Sequence, residues 1–459
     1  MMESRQRKLA DADGSSRADT EGSSTDARRC GRKLDDGSLT HDGGAGLGNR
    51  RHAYTVIYDT KRSPAIAIEL RADHLRSPVW TSFGRSPLAV ATKGESSLVE
   101  GIWTVRAFTG TYGVNYGRIA DNIPAPEKVV SLLKAVKIKN VKIYDSDHDV
   151  LTAFKGSGLE LVVGLSNDHV KEVNASEDRA MEWVKENVQS WLPDTHIRGI
   201  AVGNEVLGGG DQDLEAALFG AIKNVYKALS RLQLADLIQI SSPHSQAVFA
   251  NSYPPSNCTF NDSIFQYMKP ILDFFSKIGS PFSLNIYPFI AYKSDPQHID
   301  LNYALFQPNH GILDPITNLH YDNMFDAEID AAYAALDAAG YGKMVVEVTE
   351  TGWASSGDED ETGASTQNAR TYNYNLRKRL FKRKGTPRRP KIVIKAYMFA
   401  LFNEDSKPGP SSEKHYGLFK ADGSISYDIG LSGLSTWHAS SSSHSLKVTV
   451  VFQFLSLRS

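Results

Sequence analysis

The chain has 459 residues, 41% hydrophobic and 23% charged, with a formal charge of -2. That is enough apolar material for a sizeable core, and the absence of a basic excess excludes a polyanion-binding protein, so nucleic acid is not an expected partner. The two cysteines, Cys30 and Cys258, lie outside any C-x-x-C or Cys/His spacing, which excludes a disulfide framework and a zinc ribbon.

In chain order, residues 1–108 read as an N-terminal extension. Its first half, 1–52, is rich in Arg, Asp, Gly and Ser and cannot bury enough apolar surface to offset ordering entropy, so it is expected to be disordered. Residues 53–108 hold apolar fragments such as Tyr54–Tyr58 and Ala65–Ile68 whose spacing suggests no particular fold. The start lacks the roughly 7–15-residue apolar stretch of a signal peptide. Three N-x-S/T sequons, at Asn174, Asn257 and Asn261, point the other way, towards the secretory pathway.

From Thr111 the texture changes to apolar runs alternating with helical patterns, as in βα units around a parallel sheet. Eight runs are visible: Thr111–Asn115, Asn140–Tyr144, Leu159–Leu165, Ile197–Gly203, Leu237–Ser241, Phe282–Tyr287, Lys343–Thr349 and Lys391–Leu401. Helix-like stretches lie between them, among them Ala125–Val136, Ser176–Ser190, Leu214–Arg231, Ile264–Ile278, Asp326–Ala339 and Ser365–Phe381. The expected fold is a (β/α)8 TIM barrel over 109–432. A doubly wound sheet is the competing architecture, but Gly43–Gly48 does not form its dinucleotide fingerprint. Residues 433–459 are a Ser-rich tail. Its run Ser440–Ser443 before the apolar Leu446–Leu457 faintly resembles a lipid-anchor signal that would attach the chain to a membrane, although Lys447 and Gln453 interrupt it. No stretch reaches the ~18 apolar residues of a membrane helix.

In such a barrel the functional side chains sit where strands end. The fourth run leads into Asn204-Glu205, and the seventh leads into Glu350-Thr-Gly-Trp353. Two carboxylates facing each other across one barrel mouth are what glycoside hydrolysis needs, one to protonate the leaving oxygen and one to attack or stabilise the anomeric centre. Glu347 rivals Glu350. In a regular strand the two point in opposite senses, which prefers Glu350. The eighth run leads into Glu404, Lys407 and Glu413, charges able to tune a neighbouring carboxyl or simply to pair at the surface. Tyr116, Tyr144, Tyr287, Phe289 and Trp353 lie near strand ends and could stack on sugar faces or pack in the core. The basic stretch Arg377–Lys391 and the acidic Asp358–Glu361 read as solvated segments. No H-E-x-x-H, G-x-S-x-G, P-loop or clustered His/Cys set is present, so neither a metal nor a cofactor is expected.

Several motifs together resemble the plant endo-β-1,3-glucanases of glycoside hydrolase family 17. They are Tyr112–Arg118 with Asp121–Pro124, Val141–Asp145, Val202–Glu205, Asn285–Phe289, Glu350–Trp353, and Phe402–Glu404 through Tyr416–Phe419. The resemblance implies a retaining glucan endo-1,3-β-D-glucosidase that acts on callose- or laminarin-type glucan by double displacement, with Glu205 as acid/base and Glu350 as nucleophile. It also implies that Asn204 holds a sugar hydroxyl and that Glu404, Lys407 and Glu413 support the site. A secreted, wall or apoplastic monomer is expected, anchored to the plasma membrane if the tail is a lipid signal. The chain departs from the family at Ala354, where Pro is usual, and at Lys142, where many members have Arg; neither position is expected to supply chemistry.

Overall fold

In the computed structural model, which describes residues 110–431, the apolar runs lie side by side as parallel strands in the order β5-β4-β3-β2-β1-β11-β10-β7-β6. These are β1 Tyr112–Asn115, β2 Asn140–Lys142, β3 Glu160–Leu165, β4 His196–Val202, β5 Gln239–Ser241, β6 Pro243–His244, β7 Phe282–Asn285, β10 Val346–Thr351 and β11 Ala396–Met398. β5 and β6 are separated only by Ser242; β5 bonds to β4 and β6 to β7. One broken strand therefore closes the ring, and nine segments make eight staves. Pro243, which has no N–H to donate, sits at the break, where the chain changes partners. The fifth run thus extends past Ser241, whereas the eighth shrinks to Ala396–Met398, with Lys391–Lys395 lying outside the strand. The expected N-terminal extension 1–108 and Ser-rich tail 433–459 lie outside the described residues.

The strands are nearly continuous apolar runs because both faces are covered: all six residues of β3 are buried. Inside the ring Val162, Ala201 and Tyr397 pack together. Outside it lie α1 Pro126–Ala135, α2 His148–Phe154, α3 Asn167–Ala175, α4 Glu177–Asn187, α5 Gln212–Arg231, α6 Asp262–Ile278, α9 Met324–Ala338 and α10 Thr366–Phe381. Their starts follow local chemistry. Asp211 caps α5 by accepting from Leu214 N–H, Asn261 caps α6, and Gly279, at φ 74°, ends α6 in the left-handed conformation that glycine adopts without strain. α2 and α3, at seven and nine residues, are too short for their periodicity to stand out in the sequence.

Between β7 and α9 an insertion on the strand-end face carries α7 Pro288–Ser294, α8 Leu301–Ala304 and the hairpin β8 Ile312–Leu313 with β9 His320–Tyr321. α9 is buried on nearly all sides, including Asp326, Glu328 and Asp330. Its charges explain a correction: Arg377–Lys391 is not wholly solvated, because Arg379 pairs with Asp326 and both Arg388 and Arg389 pair with Asp337.

Candidate active site

Both singled-out glutamates lie at the strand-end face, and local backbone irregularities aim them. After β4, Gly203 (φ 65°) and Glu205 (φ 52°) turn the chain through the left-handed region. Asn167, at the start of α3, clamps Asn204 by accepting from its N–H at 2.8 Å and donating to its carbonyl at 3.0 Å. Glu205 N–H donates to the Pro243 carbonyl at 2.9 Å, so the broken fifth stave also fixes the turn that carries Glu205.

On β10 the pairing with β7 slips between Val348 and Glu350. That bulge corrects the expectation that Glu347 and Glu350 point in opposite senses. Glu347 lines a small cavity inside the ring with Lys142, Thr349 and Tyr397, and beyond the bulge Glu350 meets Lys142 as well. Glu347 therefore lies deeper in the barrel than Glu350.

The two carboxyls have different surroundings. Glu350 is buried and accepts from Lys142 Nζ at 3.1 Å on Oε1 and from Tyr287 Oη at 2.9 Å on Oε2. Glu205 accepts from Asn285 Nδ2 at 2.8 Å, and Thr349 Oγ1 donates to Asn285 Oδ1 at 2.7 Å, which orients the amide. Enclosure, and secondarily the negative charge of Glu350, push the Glu205 carboxyl up to about 7 against the opposing pull of Asn285, Lys142 and Lys407. Burial pushes the Lys142 ammonium down, against Glu350 and Glu205, and Lys142 lies 4.0 Å from the Tyr144 ring centroid. Burial and then Glu350 push the Tyr144 and Tyr287 hydroxyls well above their usual range. Both stay protonated donors.

Beside this pair, Lys142, Tyr144, Ser166, Asn167, Gly203 and Asn204 line a recess of about 220 Å³. Asn204 Oδ1 is buried without a hydrogen-bond partner of good geometry, whereas the Tyr144 hydroxyl is directed at Glu350, whose charge and hydrogen bond both help to raise it. The charged group after β11 is also assembled. Lys407 pairs with Glu413 at 3.0 Å and lies 4.4 Å from the Phe399 ring centroid. Glu404 accepts from Ile119 N–H at 2.9 Å, and burial pushes its carboxyl up.

Three expected sugar-stacking rings are placed elsewhere. Tyr116, Phe289 and Trp353 are 1%, 0% and 0% exposed, so they offer substrate no face. Trp353 donates its indole N–H to the Gly363 carbonyl and packs against Phe289, Tyr292 and Tyr372. They support the site from behind. Tyr144 and Tyr287 are the two of the five that remain partly exposed.

Sequence reasoning missed Lys142, Asn167, Asn285 and Thr349 as site members. Lys142 and Asn285 end their strands, and that position is the signal that could have found them. Glu361 was missed too. Asp358, Glu359 and Asp360 are exposed as expected, but Glu361 is buried and paired with Lys293 at 2.8 Å.

The arrangement supplies a carboxyl that is mostly neutral below about pH 7 and a second carboxyl met by a cation and a phenol. Two carboxyls in such different surroundings on one barrel mouth are able to divide the work of acid and nucleophile.

Residues 112–431 match the glycosyl hydrolases family 17. The chain is 45% identical over 321 residues to glucan endo-1,3-beta-glucosidase 14 of Arabidopsis thaliana, covering 70% of this chain and 82% of that one. It is 42% identical over 319 residues to the glucan endo-1,3-beta-D-glucosidase of Olea europaea, covering 70% and 69%. Among solved structures, a β-1,3-glucanase and allergen of Cryptomeria japonica pollen is similar with a TM-score of 0.67 at 40% identity, over 70% of this chain and 99% of that one. One of two plant β-glucan endohydrolases with distinct substrate specificities gives 0.64 at 36% identity, over 69% and 99%.

Proposed function

The chain belongs to glycosyl hydrolase family 17, and on that premise we propose that it is a retaining endo-β-1,3-glucanase in which Glu350 is the nucleophile and Glu205 the acid/base. The observation that carries the assignment is the asymmetry of the two carboxyls: Lys142 and Tyr287 donate to Glu350, whereas enclosure beside that charge keeps Glu205 protonated up to about pH 7.

The chemistry follows from that asymmetry. Glu350 attacks the anomeric carbon of a glucosyl unit while Glu205 gives its proton to the departing O3 of the next unit. The glycosidic bond breaks and a glycosyl ester of Glu350 forms. Glu350 has then lost its charge, one of the two causes that raise Glu205, while Asn285, Lys142 and Lys407 still pull the other way. The Glu205 pKa falls, and the same group becomes the base that takes a proton from water. That water displaces Glu350 from the opposite face, so two inversions return the β anomer. Asn204 and Tyr144, which line the recess beside the pair, are proposed to meet the reacting sugar.

Laminarin tests the reading. A hydrolase yields shorter reducing oligosaccharides from internal cuts; longer products would mean that a sugar hydroxyl replaces water, and binding without turnover would sink the enzyme reading. Roles are tested separately. Glu350→Gly with azide should give an α-glycosyl azide, and Glu205→Ala with an activated aryl substrate a β-glycosyl azide. Exchanged anomers would reverse the assignments.

The place of action is proposed to be the wall or apoplast, supported by the exposure of the sequons at Asn174 and Asn257. Among the described residues no helix is long and apolar enough to cross a membrane. N-terminal sequencing of the natural protein checks this: a mature chain beginning near Thr111 supports export, and an intact Met1 argues against it.

A further inference from the structure

Glu361 sits in the loop after β10, away from the reacting carboxyls, yet its side chain is only 3% exposed. All four of its hydrogen bonds reach rim segments. Oε1 accepts from Lys293 Nζ at 2.8 Å and from Ser412 Oγ at 2.5 Å; Oε2 accepts from Ser412 N–H at 2.8 Å and from Asp358 N–H at 3.0 Å. Burial alone would push this carboxyl up, but Lys293, Ser412 and the Asp358 N–H outweigh it and hold it at about 2.

Those partners belong to three different loops. Lys293 is in the last turn of α7, the helix that starts directly after Tyr287, the phenol that donates to Glu350. Ser412 is in the short turn Ser411–Lys414 that carries Glu413, the partner of Lys407. Asp358 belongs to the loop that leaves β10 just beyond Glu350 and also accepts from Ser411 N–H at 3.0 Å. The same three loops meet again closer to the cleft. Ser355 donates to the His415 carbonyl through both N–H and Oγ, at 2.8 and 2.9 Å, and the Tyr416 ring lies edge-on to Tyr287 with centroids 5.8 Å apart.

We propose that Glu361 is a positioning residue of the hydrolytic site: by tying the loops after β7, β10 and β11 it holds Tyr287 on Glu350 and the Lys407–Glu413 pair in the cleft wall. The assignment rests on the glucanase reading above. A carboxylate suits the task because it alone accepts four such bonds while answering the part-buried Lys293 charge.

The test compares Glu361→Ala, Glu361→Asp and Lys293→Met with the unaltered protein, on laminarin and on an aryl β-laminaribioside with a good leaving group. Amide hydrogen exchange of residues 286–295, 352–365 and 403–417 is followed in parallel. Glu361→Ala and Lys293→Met should each lower kcat by about 10–100-fold with KM little changed, the cost expected of slightly misplaced catalytic groups. Exchange should quicken in all three loops together, and Glu361→Asp should recover part of the rate. The loss should persist with the good leaving group, because Tyr287 and Glu350 act whether or not the leaving oxygen needs a proton. Unchanged kcat in Lys293→Met would overturn the proposal even if melting temperature falls, since Glu361 would then be a structural pin only. If Glu361→Ala does not fold, Lys293→Met carries the test. An unaltered protein without turnover would sink the glucanase reading, and exchange confined to one loop would separately refute the pin.

Discussion

At the scale of single residues the site holds Glu205 in a costly environment. Glu205 has a folded pKa of about 7 against the ordinary carboxyl value of 4.5. As pH rises between those values the unfolded chain ionises and the folded one does not, so the folded state loses stability across that window and keeps it below. Glu205→Gln, which stays neutral, should therefore melt a few degrees above the unaltered protein at pH 8, with the difference shrinking towards pH 4. Equal melting temperatures at both pH values would show that the Glu205 carboxyl is not enclosed as described. The same pKa puts the loss of kcat/KM on the basic side near pH 7, where the acid loses its proton. Lys142 is the second residue to test. Removing it leaves the buried Glu350 without its cation, so Lys142→Met should lower kcat/KM by roughly 100-fold and destabilise the fold by about 3 kcal/mol, while Lys142→Arg keeps most of both. Undiminished kcat/KM in Lys142→Met would remove it from the site.

At the scale of elements, three departures from ideal barrel geometry make the site. The turn after β4 carries Glu205 through a left-handed conformation, the fifth stave breaks at Ser242 and offers the Pro243 carbonyl to that turn, and the β10 bulge brings Glu350 to Lys142. Close approach between neighbouring strand ends matters as much. A Cβ at Gly164, on β3, would stand 2.3 Å from the Tyr144 carbonyl carbon, so the segment bearing Tyr144 could not keep its place. Gly164→Ala should cost about 2 kcal/mol by overpacking, read from the urea midpoint, and should weaken substrate binding through Tyr144. A cost below about 0.5 kcal/mol would mean that the loop shifts freely.

At the scale of the whole chain, the ring closes within the described residues: β1 has β2 on one side and β11 on the other, and β5 and β6 supply the last seam. No strand from 1–108 is needed to complete it. A chain starting at Phe108 should therefore keep its kcat on laminarin within about two-fold, because the described partners of Glu205 and Glu350 all lie within 110–431. Loss of soluble folded protein on that truncation would show that part of 53–108 belongs to the domain after all.

The sequence by itself determined the barrel and pointed to carboxylates at its mouth. Long parallel strands buried on both faces leave continuous apolar runs, and residues that end such runs stand at the mouth whatever the detailed packing. The tertiary structure decided which polar neighbours serve them. Lys142, Asn285 and Thr349 come from different staves and Asn167 from the start of α3, and their meeting depends on strand register, a bulge and a broken strand, none of which leaves a periodic mark in the sequence. It also decided that Trp353, Phe289 and Tyr116 pack inward while Tyr144 and Tyr287 reach the cleft. An aromatic side chain near a strand end has the same composition signature in either position, and only the neighbours that cover it settle which face it shows.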